Sequence, residues 1–246
     1  MADNLIITPV GIPLIFEERF DKENHWRYTD RAKRNYETLV VVYNDYVPEP
    51  NTYDHILHMK GHKWQIIREL PKMFDFSKYK YIGCIDDDLV TDIESYNTAF
   101  ELATQFNLPF WQLSIIEGTS YKCCAFDSEC DFSETNFIEM GVPVFRNDMF
   151  FKILDFFNEL NIDVGWGVDK MFSEVLQTPG YVFHTGSMYH PPNHIKPSYY
   201  DQTEAMKEMN YMISEVYPRI MRDKYKREDW QFIDSQVTFR KFKIAR

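Results

Sequence analysis

The chain has 246 residues, is 44% hydrophobic and 17% aromatic, and carries a formal net charge of −11. That length can bury a full core as one large domain, and with no eighteen-residue apolar run and no basic leader ahead of an apolar stretch, the sequence predicts a cytoplasmic protein without a helical membrane span. Four cysteines (Cys84, Cys123, Cys124, Cys130) make no disulfide framework and lack zinc-site spacing, and the absence of a G-x-x-x-x-G-K-[ST] sequence excludes a P-loop phosphotransferase.

Short β-rich apolar runs alternate with helical patterns. Strands are predicted at 5–10, 38–44, 55–59, 79–85, 108–116, 142–145 and 180–185, with helices at 21–36, 62–73, 92–106, 147–160, 168–177 and 202–226. In the 147–160 segment Met149, Phe150, Ile153, Leu154, Phe156, Phe157 and Leu160 recur at helical spacing, and Asn147 or Asp148 is placed to cap it. Asp92, with Glu94 close behind, is placed to start the 92–106 helix. The alternation predicts a single three-layer α/β/α domain over 1–218, with a mostly parallel mixed sheet and a helical, basic C-terminal extension over 219–246 packed on it. That extension carries nine basic and four acidic side chains, so +5, which leaves −16 on the rest. A solvated terminal helix and a phosphate-binding surface both account for this charge.

The run YKYIGCI (79–85) has the character of a strand buried on both faces, and it leads directly into Asp86, Asp87 and Asp88. Three adjacent carboxylates repel one another, and beyond the carboxyl end of a central strand they lie where open α/β sheets bind ligands. A hard divalent cation, Mg²⁺ or Mn²⁺, held by Asp86 and Asp88 together with substrate phosphate oxygens, suits such a cluster, leaving Asp87 to orient sugar or ribose hydroxyls. The competing account is that Asp88 or Asp92 caps the following helix while the other acids face water. Lys60 and Lys63, on either side of Gly61, are candidates to contact a diphosphate near a helix N-terminus. In GWGVDK (165–170), Trp166 offers a face for a sugar ring, Gly167 allows close backbone approach, and Asp169 is the candidate general base for an inverting transfer, with Asp163 as a second candidate, against a first-turn acid that only complements the helix dipole.

An apolar strand ending in an Asp-x-Asp cluster, with the basic segment MKGHKWQIIRELPK ahead of it, resembles the GT-A class of nucleotide-sugar glycosyltransferases. More narrowly YKYIGCIDDDL, GVPVFRNDMF, GWGVDKMF and YVFHTG, in that order over roughly residues 55–190, resemble a plant and bacterial family of glycosyltransferases without an assigned substrate. The resemblance implies a GT-A-like fold, a nucleoside-diphosphate sugar donor and a metal held by Asp86 and Asp88. It also implies a late histidine ligand, with His184 favoured over His190 and His194 because Thr185-Gly186 is read as a turn. The basic extension suggests an anionic acceptor such as the hydroxymethylated bases of bacteriophage DNA, against a surface-polysaccharide or lipid-linked acceptor. A sugar nucleotidyltransferase and a non-catalytic sugar or nucleic-acid binding module are the other function classes open at this stage.

Overall fold

The computed structural model describes residues 2–13, 22–28, 30–48, 53–160, 164–191, 202–228 and 238–244. Asp163 and His194 lie outside the described residues.

Strand β1 (Asn4–Val10) is buried along its whole length, as expected of a central strand covered on both faces. It pairs in parallel with β2 (Glu37–Val42) on one side and β4 (Tyr81–Cys84) on the other, and β3 (His55–His58) extends the parallel set beyond β2. Strand β7 (Val144–Arg146) then runs antiparallel between β4 and β5 (Phe110–Glu117). Strand β8 (Gly180–Tyr189) lies parallel to β5, β6 (Phe132–Thr135) runs antiparallel to β8, and β9 (Thr238–Phe242) runs antiparallel to β6. Across the described residues the sheet order is β3-β2-β1-β4-β7-β5-β8-β6-β9.

Side-chain alternation along these strands builds two cores, one per face. Leu5, Ile7, Ile82, Phe110 and Phe145 point to a core shared with α1 (Lys63–Glu69), α3 (Asn147–Leu160) and α4 (Phe172–Leu176). Ile6, Tyr81, Trp111 and Val144 point the opposite way, against Tyr96, Ala99, Phe100 and Ala103 of α2 (Ile93–Phe106). The predicted three-layer α/β/α arrangement with a mostly parallel mixed sheet is therefore the observed one. Helices α5 (Gln202–Tyr211) and α6 (Tyr217–Asp223), joined by a π-helical stretch, place Met212, Val216, Tyr217 and Met221 in the first of these cores.

The α3 helix has its predicted bounds, but Asn147 does not cap it. The Asn147 amide instead donates to the carbonyls of Phe76 and Tyr79 at 2.8 and 2.9 Å, and Asp148 pairs with Arg146 at 2.6 Å. Asp92 does cap α2, accepting from the Ser95 N–H at 2.6 Å. The helix expected over 21–36 is absent among the described residues of that segment, which holds only the short 3₁₀ turns Lys22–Asn24 and Arg31–Lys33. Long-range bonds hold the rest of it in place: Trp26 Nε1 donates to Leu89 O at 2.8 Å, and the Tyr36 hydroxyl donates to Trp26 O at 2.7 Å. Strands β6 and β9 were not expected. The latter means that the C-terminal extension is not wholly helical, since its end adds a strand in which Phe242 stacks on Phe132 at 4.7 Å.

Phe150 is fully buried on α3, with its ring 5.4 Å from that of Phe76. Phe150→Ala should lower the unfolding free energy by about 3–5 kcal/mol through lost transfer energy and a residual cavity, read as a lower denaturation midpoint at unchanged slope.

Candidate functional site

From β1 the chain moves outward to β2 and β3, whereas β4 lies on the other side of β1, so the connections diverge between β1 and β4. A crevice opens beyond the carboxyl ends of strands at such a point. Here a cleft of about 520 Å³ is lined from β1 and β2 by Pro9 and Tyr43, from beyond β4 by Asp86, Asp87 and Asp88, and from the far side by Glu139, Trp166 and Asp169. Gly11, just past β1, donates its N–H to Asp87 Oδ2 at 2.8 Å and so ties the ends of the two diverging strands together. A Cβ on Gly11 would lie 2.2 Å from the Tyr43 ring, so the position admits no side chain without displacing that ring.

The three carboxylates leave β4 in three different environments. Asp86 pairs with Lys63 Nζ at 2.7 Å, and that ammonium also donates to Met140 O at 2.7 Å. Asp87 turns back toward Gly11, and its carbonyl accepts from the fully buried Arg27 at 2.8 Å. Asp88 lies 3.3 Å from His190 Nε2. Burial pushes the Asp86 carboxyl upward against the pull of Lys63, and it pushes Asp87 up to about 7 despite Arg27. The hydrogen bond to Asp88 raises His190 to about 9, above the ordinary imidazole value. Among the described residues no three His, Cys, Asp or Glu side chains are grouped so as to hold a metal ion. Asp86 and Asp88 are, however, the donor pair that a hard divalent cation takes when substrate oxygens and water complete its shell, so the residues present fit such an ion.

Segment 139–141, which leads into β7, joins the two walls of the cleft. The antiparallel pairing of β4 and β7 continues past both strands, with Cys84 N donating to Pro143 O and Asp86 N donating to Gly141 O, each at 2.8 Å. The carbonyl of Met140 holds Lys63, and its N–H lies near enough to the Asp169 carboxyl to draw its pKa down. A Cβ on Gly141 would stand 2.9 Å from Asp86 Oδ2, so glycine leaves room there for the carboxylate. Asp169 is 6% exposed and also accepts from Lys170 N at 3.0 Å; burial raises its carboxyl to about 6. Gly167, at φ 87°, starts the 3₁₀ turn Val168–Met171 that carries Asp169. Glu208 of α5 accepts the N–H groups of Val164 and Gly165 at 3.1 and 2.6 Å, holding the approach to that turn.

The structure thus brings Asp86, Asp87, Asp88, Lys63, Trp166, Gly167 and Asp169 to one cleft. It does not bring His184 or Lys60 to it. Thr185-Gly186 makes no turn: β8 continues to Tyr189, and the register jumps from Leu113↔Phe183 to Ser114↔Ser187. His184 therefore sits mid-strand, with Nε2 3.1 Å from the Ser133 hydroxyl and Nδ1 accepting the Asp127 N–H at 3.1 Å, and burial lowers it to about 4. Among the described residues His190, one residue past the strand, is the histidine that reaches the acids. Lys60 is exposed and does not line the cleft, whose near wall is formed by Gly61, His62 and Lys63. The sequence reading missed Tyr43, Tyr121, Glu139 and Lys170 in the lining and Arg27 behind it. Of these, only Glu139 carried a sequence signal, as a lone acid in the apolar run FIEMGVPVF. Tail cations Lys224, Arg227, Arg240 and Lys241 pair with Glu159, Glu174, Glu134 and Asp127 of the body.

No protein-family model matches the chain, and no curated protein does. Solved structures similar to it include A197 from STIV, at 13% identity and a TM-score of 0.44, covering 78% of this chain and 87% of that one. A second is TarS 1–349 of S. aureus in complex with UDP-GlcNAc, at 10% identity and a TM-score of 0.49, covering 88% of this chain and 66% of that one. Likeness at this level carries neither activity nor substrate from those proteins to this one.

Because the Asp169 carboxyl sits above its ordinary value in the fold, its contribution to stability is full at low pH and is lost as pH rises through about 6. Asp169→Asn, which cannot ionise, should gain on the wild type by about 2–3 kcal/mol between about pH 4 and pH 8. Denaturation curves at the two pH values would show it, and a pH-independent difference would contradict the burial argument.

Proposed function

We propose that the chain is a glycosyltransferase that moves a sugar from a nucleoside-diphosphate sugar to an acceptor hydroxyl, with Mn²⁺ or Mg²⁺ held between Asp86, Asp88 and the donor diphosphate. One observation carries the reading: an acidic cluster at the strand divergence and a buried carboxylate, Asp169, line the same cleft. The resemblance of the DDD, GVPVF, GWGVD and YVFHTG segments to glycosyltransferases supports it. A divalent ion, when bound, supplies Lewis-acid stabilisation of the charge that builds on the departing diphosphate.

The chain's own residues take the remaining roles. Lys63, anchored to Asp86 and Met140 O, sets a fixed positive charge at the mouth of α1, beside the place for the phosphates. His190 holds Asp88 in position. Trp166 lies in the lining, and its indole is the group proposed to meet the apolar face of the sugar ring. Asp169 accepts the proton of the attacking acceptor hydroxyl as the sugar passes through its oxocarbenium-like state. Its carboxyl, raised to about 6, is ionised near neutrality yet less stabilised than a free carboxylate, which suits a general base.

The DNA acceptor expected from the basic extension loses support, since four tail cations are already paired with carboxylates of the body. The acceptor in this proposal is specified only as a hydroxyl.

Thermal unfolding with a panel of nucleoside diphosphates, with and without Mn²⁺, tests the donor site. A ligand at a hundred times its dissociation constant should stabilise the protein by about 2.7 kcal/mol. One diphosphate should do so only with metal, and Asp88→Asn should abolish the effect; if none stabilises under any metal condition, the proposal fails. With the donor known, Asp169→Asn should keep diphosphate affinity while turnover falls by about 10²–10⁴-fold.

A further inference from the structure

Glu139 stands in the cleft lining apart from the roles assigned above. It lies on segment 139–141, whose backbone holds Asp86 through Gly141 O and Lys63 through Met140 O. Its own N–H donates to Gln112 Oε1 at 2.7 Å, and its Oε1 accepts from the Thr119 hydroxyl. Backbone and side chain are thus each fixed by a hydrogen bond. It lines the same cleft as Asp86, Asp169 and His190, and its neighbour Met140 holds the Lys63 that pairs with Asp86, so Glu139 sits on the segment that joins the acidic cluster to the Asp169 wall.

In a transferase of the proposed kind, the diphosphate lies at the Asp86–Asp88 end and the attacking hydroxyl at Asp169. The group between those two ends is the sugar being transferred. We infer that Glu139 is a specificity-determining residue that hydrogen-bonds a ring hydroxyl of the transferred sugar and so selects among donors that differ in configuration at that carbon. This inference rests on the proposed glycosyltransferase reading and adds the residue that reads the sugar.

The chemistry suits the task. An ionised carboxylate only accepts hydrogen bonds, whereas a protonated one also donates. Burial raises Glu139 to about 7, so near neutrality both forms are present and the carboxyl can accept from or donate to the one hydroxyl within its reach. Discrimination follows from the cost of the wrong epimer, which leaves a buried polar group without its partner. Tyr121 and Lys170 close the wall beside Glu139, with the Lys170 ammonium 5.9 Å from the Tyr121 ring centre, which limits how far the sugar can shift to compensate.

The test uses the full chain, with Mn²⁺, as wild type, Glu139→Ala and Glu139→Gln. Calorimetric titration measures affinity for UDP, GDP and the epimeric pairs UDP-glucose/UDP-galactose and GDP-mannose/GDP-glucose. Wild type should bind one diphosphate and prefer one epimer of its sugar. Glu139→Ala should keep the diphosphate affinity within about two-fold while the preferred epimer's advantage falls by about 10- to 100-fold, the worth of a hydrogen bond to a carboxyl group. Glu139→Gln, which keeps the side chain's size and can still accept from Thr119, should retain part of that advantage and guards against misreading a packing defect. If Glu139→Ala keeps the wild-type epimer ratio, or weakens diphosphate and diphosphate-sugar equally, the assignment is overturned while the donor site stands. If wild type binds no nucleoside diphosphate of the thermal-unfolding panel, the glycosyltransferase reading itself fails and takes this assignment with it.

Discussion

The site depends on the antiparallel course of β7 between two strands that run the other way. A parallel strand in that position would send its leading segment to the opposite edge of the sheet, away from the carboxyl end of β4. Running antiparallel, β7 is entered from the same end at which β4 exits, so segment 139–141 lies directly against Asp86. Its backbone groups then serve as fixed partners, Gly141 O for the Asp86 N–H and Met140 O for Lys63, with Met140 N close to Asp169. Backbone partners cannot swing away, so the two walls keep their separation without a ligand to set it.

That placement has an electrostatic consequence. Five carboxylates line one cleft, and burial raises Asp86, Asp87, Glu139 and Asp169 above their ordinary range. Such an accumulation is tolerable only with cations close by, and the fold supplies them from three directions: Lys63 from the start of α1, His190 from the end of β8 and Arg27 from beneath the acidic loop. Residues with displaced titration gathered in a cleft are characteristic of functional sites, because a structure optimised for stability alone would not collect buried acids.

The C-terminal segment belongs to this architecture. Its α5 helix holds the turn ahead of Asp169 through Glu208, and Met209 packs so closely on Gly167 that a Cβ there would meet it at 2.9 Å. Its last described strand closes the sheet edge at β6, with Arg240 and Lys241 paired to body carboxylates. The positive charge that stands out in the sequence therefore offsets the acidic body.

What the sequence determined by itself was whatever depends on neighbours along the chain. The apolar run of β4, the helical spacing of Met149 to Leu160 and the Asp92 cap are local patterns, and each produced the expected element. The three-layer class followed from their alternation, and Asp86, Asp88 and Asp169 stood out because strand ends and glycine-flanked turns leave local marks. Tertiary structure decided what depends on partners distant in sequence. Segment 21–36 has helical composition, yet Trp26 and Tyr36 are held by Leu89 and by each other, so tertiary bonds override propensity there. The choice between His184 and His190 turned on a register shift against β5, which no reading of YVFHTGSMYH alone reveals. Glu139 acquires its place only because β7 returns antiparallel beside β4, a matter of strand order and direction that pairwise spacing in the sequence does not encode.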